Sequence, residues 1–185
     1  MSKFLFFLLL ALVSCKNLRD LASFDFNTFY NALVSRHNVL RKKHSAGALT
    51  KLTAIAKLAQ NTANGCKKAK NLVHSGTSYK GKWMGQNLFV SSGVPTGAEV
   101  ANDWYSEISD YNFSTGKPKS ASKITGHFTQ LVWIGSKQIG CAVATGEWAG
   151  YKSSYFVCCN YLPGGNISGQ YTKNVKKAQE KGISA

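Results

Sequence analysis

The chain has 185 residues, with 23 Lys and Arg against 8 Asp and Glu, a formal net charge of +15. That length suits one domain with a sizeable core, and the charge attracts anionic lipid, acidic glycan or nucleic acid. Beyond the N-terminus no apolar run approaches the length needed to cross a bilayer, so no membrane anchor is expected after processing.

Lys3 precedes the apolar run Phe4 to Val13, and Val13 and Cys15 are small enough to flank a cleavage site. This pattern predicts a secretory signal over residues 1–15, hence a secreted, extracellular protein. Export makes nucleic acid the least expected anionic partner. No acidic residue occurs between Asp25 and Glu99, a stretch rich in lysine. A dedicated anionic partner and a merely solvated basic face are both open readings of it.

Residues 26–40 place Phe26, Phe29, Tyr30, Leu33, Val34, His37 and Leu40 at helical spacing, with Asp25 or Asn27 as the cap. A second helix is predicted over about residues 50–64, with Gly65 as its stop. A third opens at Thr96, where Thr96 and Glu99 have the form of a capping box. The period then changes. Asn87 to Ser91, Gln138 to Thr145 and Ser153 to Leu162 read as strands, the last two forming an antiparallel hairpin. Helices with an antiparallel sheet and no regular alternation predict an α+β layered domain. The domain is expected over 16–170, followed by a basic tail over 171–185.

If Cys15 leaves with the signal, Cys66, Cys141, Cys158 and Cys159 remain, an even number that predicts two disulfides in an oxidising compartment. Adjacent Cys158 and Cys159 face opposite sides of a strand, so each pairs elsewhere. Asn112-Phe113-Ser114 and Asn166-Ile167-Ser168 are glycosylation sequons. No Gly-x-Ser-x-Gly elbow, His-Glu-x-x-His pair or phosphate-binding Gly-rich loop is present. Of the four histidines, His37 sits in an apolar helical stripe and reads as a satisfied core residue. His44 lies among lysines and reads as solvated. His74 and His127 lie in polar, glycine-bearing contexts suited to a metal ligand or a general base.

Gly126-His127-Phe128-Thr129-Gln130-Leu131-Val132-Trp133 closely resembles the first signature of the CAP superfamily of cysteine-rich secretory, antigen 5 and pathogenesis-related 1 proteins. Tyr155 to Asn166 resembles the second. Ile139-Gly140-Cys141-Ala142, Arg36-His37-Asn38, Leu58-Ala59-Gln60 and Trp104-Tyr105-Ser106-Glu107 fit the same family in order. The resemblance implies a three-layer α-β-α sandwich around a central antiparallel sheet. It implies a cleft in which His74, Glu107 and His127 form a divalent-metal site. The fourth acidic position falls on Gln86, where the family usually has glutamate. Glutamine keeps the reach of glutamate but loses its charge and cannot act as a base. Zinc would therefore bind weakly and would not be required. A purely structural polar network is the equal alternative. A Cys141–Cys159 disulfide is also implied, leaving Cys66 with Cys158.

By the same resemblance the expected role is a monomeric binding module for a lipid or sterol, acting through an apolar groove or through the loop carrying Tyr111 and Phe113. An anionic membrane surface or acidic glycan are further expected partners. The alternatives are a metal-assisted hydrolase using His74, Glu107 and His127, which Gln86 argues against, and a secreted receptor ligand or immune-modulating effector.

Overall fold

The computed structural model describes residues 24–76 and 78–179, so the expected signal segment lies outside the described residues. Helix α1 spans Phe26–Lys43, and Asp25 caps it by accepting from the Asn27 N–H. Strand β1 is Thr50–Lys51 and helix α2 is Thr53–Ala69. Two short strands, β2 (Ser78–Tyr79) and β3 (Lys82–Trp83), form a hairpin before β4 (Gly85–Ser91). Helix α3 (Gly97–Ser106) opens with the predicted capping box of Thr96 and Glu99, and a 3-10 turn over Glu107–Asp110 follows it. A second small hairpin pairs β5 (Tyr111–Asn112) with β6 (Lys117–Pro118). Helix α4 is Gly126–Leu131, and the long strands β7 (Gln138–Trp148) and β8 (Tyr151–Leu162) lead to α5 (Tyr171–Asn174).

The main sheet has the order β1-β7-β8-β4, antiparallel except for the short parallel pair β1 and β7. Alternation along β8 decides which layer each side chain meets. Val157, Cys159 and Tyr161 face a core shared with Phe29, Leu33, Leu40, Trp104 and Phe128, which come from α1, α3 and α4. Phe156 and Cys158 face Ala59, Ala63 and Cys66 on α2. Helices therefore cover both faces, giving the expected three-layer sandwich. Two glycines permit close approach. A Cβ on Gly140 would collide with the backbone of Ile55 and Ala56, where α2 lies against β7, and one on Gly97 would strike the Phe29 carbonyl where α3 meets α1.

Several expectations need correction. Gly65 does not stop α2. The helix continues because Cys66 on its inner face is buried, and it ends at Lys70 in the left-handed conformation. His44 is not solvated but fully buried. One ring nitrogen meets the Lys176 carbonyl at 2.6 Å and the other the Tyr105 hydroxyl at 2.9 Å. That contact, buried Val175 and a Gln179 N–H to Lys43 carbonyl bond hold residues 171–179, expected as a tail, against the domain.

Cys141 and Cys159 are direct cross-strand partners with Cα atoms 4.1 Å apart, and they are bridged. The expected Cys66–Cys158 bridge is absent, and both are buried thiols. The Cys66 sulfur is engaged by the Val73 N–H at 3.3 Å, and Cys158 lies beside the Asn160 side chain. Burial pushes the Cys158 thiol far up, so it stays protonated.

Arg41 shows how the core positions α4. Its guanidinium is buried and donates to the carbonyls of Gly47, Leu131, Trp133 and Ser136. Leu131 ends α4, so a cation lies at the negative end of that helix. Burial lowers Arg41 to about 10, which still leaves it charged at neutral pH.

Candidate functional site: a polar histidine cleft and an apolar groove

Glu107 follows α3 and reaches the start of α4. Its Oε2 accepts the His127 and Phe128 backbone N–H groups at 2.9 and 3.0 Å, and its Oε1 meets His127 Nδ1 at 2.7 Å. The carboxylate thus caps the helix and orients the imidazole at once. Trp104 stacks on the same ring at 6.3 Å between centroids, and its indole N–H donates to the Leu88 carbonyl. The Asn87 amide donates to the His127 carbonyl from below. Asp103, one turn before Glu107, also belongs to this electrostatic environment. Burial raises its carboxyl, His127 lowers it and Glu107 raises it again.

His74 is held by a different layer. Its Nδ1 lies 2.9 Å from Gln86 Oε1, which also accepts the Ser75 N–H. Gln86 Nε2 donates to Asn160 Oδ1 at 2.9 Å and to the Ser75 hydroxyl at 3.0 Å, and Asn160 donates to the Ile55 carbonyl. Gln86 and Asn160 are register partners on β4 and β8, so the amide pair crosses the sheet on its α2 face. An amide serves here where a carboxylate would not. Gln86 both accepts from His74 and donates to Asn160, and a carboxylate can only accept.

In both histidines Nδ1 faces an oxygen acceptor, which fixes the tautomer and leaves Nε2 to face solvent or a ligand. The expected three-donor metal set is not formed. Among the described residues no group of three His, Cys, Asp or Glu side chains is placed to hold a metal ion. Both oxygens of Glu107 are occupied by N–H donors, so its role is to position His127. Beside His74 and Gln86 opens a polar cleft of about 260 Å³, bordered also by Trp83, Met84, Gln130 and Asn166. Ser75 adjoins His74 and Asn160 lies within the second signature, but their meeting with Gln86 depends on the β4–β8 register, and Trp83 and Asp103 carry no local signal.

The expected binding loop is also corrected. Tyr111 is buried, and Phe113 packs edge-on against Tyr111 and Phe128. The β5–β6 hairpin folds Tyr111 into the core and packs the half-buried Phe113 against it. An apolar groove exists elsewhere, where the start of α1 meets the start of α3. It encloses about 380 Å³ between Phe24, Thr28, Phe29, Ala32, Val94 and Pro95.

Comparison with known proteins agrees with this architecture. Residues 34–161 match the model of the cysteine-rich secretory protein family, CAP. Protein PRY2 of Saccharomyces cerevisiae is 38% identical over 154 residues, covering 82% of this chain and 41% of PRY2. This chain thus spans about two fifths of that relative. The human Golgi-associated plant pathogenesis-related protein 1 is 36% identical over 149 residues, covering 80% of this chain and 92% of the relative. Among solved structures, Schistosoma mansoni venom allergen-like protein 4 superposes with a TM-score of 0.57 at 23% identity, covering 81% of this chain and 94% of that one. With the two histidines, the Cys141–Cys159 bridge and the three-layer sandwich in place, the chain belongs to the CAP family of cysteine-rich secretory proteins.

Proposed function

We propose that this protein is an exported binding module whose ligand is an apolar molecule such as a lipid or sterol. The carrying observation is the α1–α3 groove, whose volume of about 380 Å³ lies within the usual range for small-molecule sites. Its walls are mostly apolar, and a ligand seated there would cover the exposed Val94 side chain. The hydrolase alternative is weaker. Gln86 offers no base, and Glu107 is committed to holding α4. Export is supported by the N-terminal apolar run and by the Cys141–Cys159 disulfide. The experiment is displacement of a fluorescent fatty acid from the full chain, alongside Ala32→Trp, which fills the groove. The reading expects saturable binding weakened about tenfold by the substitution, one lost apolar contact being worth roughly that factor. Equal binding by the variant would exclude the groove.

A second reading concerns His74 and His127. Nδ1 of His74 and of His127 is each held by an oxygen acceptor, the arrangement that prepares Nε2 for a divalent cation. Titration calorimetry with zinc would show weak binding that disappears in both His74→Ala and His127→Ala. Loss in only one variant would mean that the two rings do not share an ion.

A further inference from the structure

Exposed charge and exposed aromatic surface coincide at the β2–β3 hairpin, where Trp83 is flanked by Lys80 and Lys82. Lys80 and Gly81 form its tip, both with positive φ, and Ser78 pairs with Trp83 and Tyr79 with Lys82. Trp83 is 55% exposed, and its ring is seated on Gly164, where any side chain would displace it. The Trp83 carbonyl accepts the Gly164 N–H at 2.9 Å, fixing the strand beneath. An indole held rigidly in contact with water is an interaction element rather than a mobile surface group. Trp83 borders the same cleft as His74 and Gln86.

The charge around this hairpin is of one sign. Lys80 and Lys82 border a shallow depression with Tyr79, Leu52, Gln138 and Leu162, at the end of the sheet where β7 begins and β8 ends. Lys137, which pairs with the Leu162 carbonyl, adds to that end. Among the described residues the carboxylates lie elsewhere. Asp25, Glu99, Asp103, Glu107 and Asp110 belong to the α1–α3 layer, and Glu147, at the opposite end of β7, is paired with Lys70.

We propose that the β2–β3 hairpin docks this protein on an anionic lipid bilayer, with Trp83 in the headgroup layer and Lys80 and Lys82 against the lipid phosphates and carboxylates. The combination selects a bilayer. A ring with an apolar body and one polar N–H suits the membrane–water interface, and flanking lysines keep their ammonium groups in the headgroup region. An acidic glycan would satisfy the lysines but would not give the apolar body of Trp83 an apolar phase to enter. Docked this way, the polar cleft beside Trp83 opens toward the bilayer. The inference uses a different edge of the molecule from the α1–α3 groove and does not rest on that reading.

The test is co-sedimentation of the full chain with phosphatidylcholine vesicles, with and without phosphatidylserine. Wild type is expected to bind only the serine-containing vesicles, with a blue shift in tryptophan emission. Lys80→Glu/Lys82→Glu is expected to weaken binding at least about 100-fold, since each basic residue near an anionic surface contributes a several-fold factor and both signs are reversed. Trp83→Ala is expected to weaken it about tenfold and to remove most of the blue shift. Lys68→Glu/Lys152→Glu makes the same change in net charge elsewhere and is expected to cost far less. Unfolding temperatures of all three variants establish that each is folded. The proposal is overturned by absence of vesicle binding, by heparin binding without vesicle binding, by an equal effect of the two double variants, or by full binding in Trp83→Ala.

Discussion

Glu107 holds His127 through both of its carboxylate oxygens, one on the imidazole Nδ1 at 2.7 Å and one on the backbone N–H at 2.9 Å. The residue whose type suggested a metal ligand is thereby a helix cap and a tautomer lock. Removing it should cost stability first. Glu107→Ala leaves the α4 N-terminus uncapped and His127 unsupported, and a loss of roughly 2 kcal/mol is expected. Urea unfolding of the variant measures this, and an unchanged midpoint would mean that α4 does not depend on the carboxylate.

Gln86→Glu tests why an amide stands beside His74. The new carboxylate would still accept from His74 and Ser75, but it would face Asn160 Oδ1, which now accepts from Gln86 at 2.9 Å. A stability loss of about 1 to 2 kcal/mol is expected from the mismatched acceptors. The added negative charge should tighten zinc binding about tenfold in calorimetry. A variant as stable as wild type would show that the Gln86–Asn160 pair has no structural weight.

Stability should fall with acid through the buried histidines. His37 donates from one ring nitrogen to the Leu33 carbonyl and accepts the Tyr161 hydroxyl with the other, so it is neutral in the fold. Desolvation lowers it to about 4. Since the unfolded histidine titrates near 6.5, the unfolded state binds more protons between those values. The contribution is fully present above pH 6.5 and is lost as pH falls toward 4, reaching about 3 kcal/mol. Burial lowers His44 as well, adding in the same direction. Chemical unfolding across this range should show the slope, and His37→Gln should flatten it.

Arg41 is a buried cation answered by carbonyls. Arg41→Met would leave the carbonyls of Gly47, Leu131, Trp133 and Ser136 without this donor in the interior, and a loss of more than about 3 kcal/mol is expected. Arg41→Lys should recover only part of it, because an ammonium cannot span four acceptors in the guanidinium plane. Thermal unfolding of the two variants in parallel decides between charge and fork geometry as the stabilising feature.

Thiol counting separates the two cysteine pairs. Cys66 and Cys158 should be silent to a thiol reagent in the native protein and should react after denaturation, since both are buried and Cys158 resists ionisation. Cys141 and Cys159 should react only after reduction, and replacing both with serine should cost about 3 kcal/mol for a loop of this length. If Cys66 and Cys158 stay unreactive in denaturant, the second bridge expected from the sequence exists.

Periodicity alone was enough to locate α1, α3 and the β7–β8 hairpin, because one buried face repeats with the helical or strand period. The Thr96–Glu99 cap was legible because its partners are three residues apart. Motif resemblance marked His74, Gln86, Glu107 and His127. It did not show that Glu107 spends both oxygens on α4, since that depends on how α3 ends relative to a helix twenty residues away. The inward turn of Tyr111 and Phe113 and the burial of His44 were hidden for the same reason. An aromatic beside Gly and Pro, or a histidine among lysines, reads as surface until a distant segment covers it. The sequence by itself determined the family and the layered α+β class, both carried by local pattern. Only the tertiary structure decided which polar groups meet and which aromatics stay in water, because hydrogen-bond partners and burial come from contacts between residues remote in the chain.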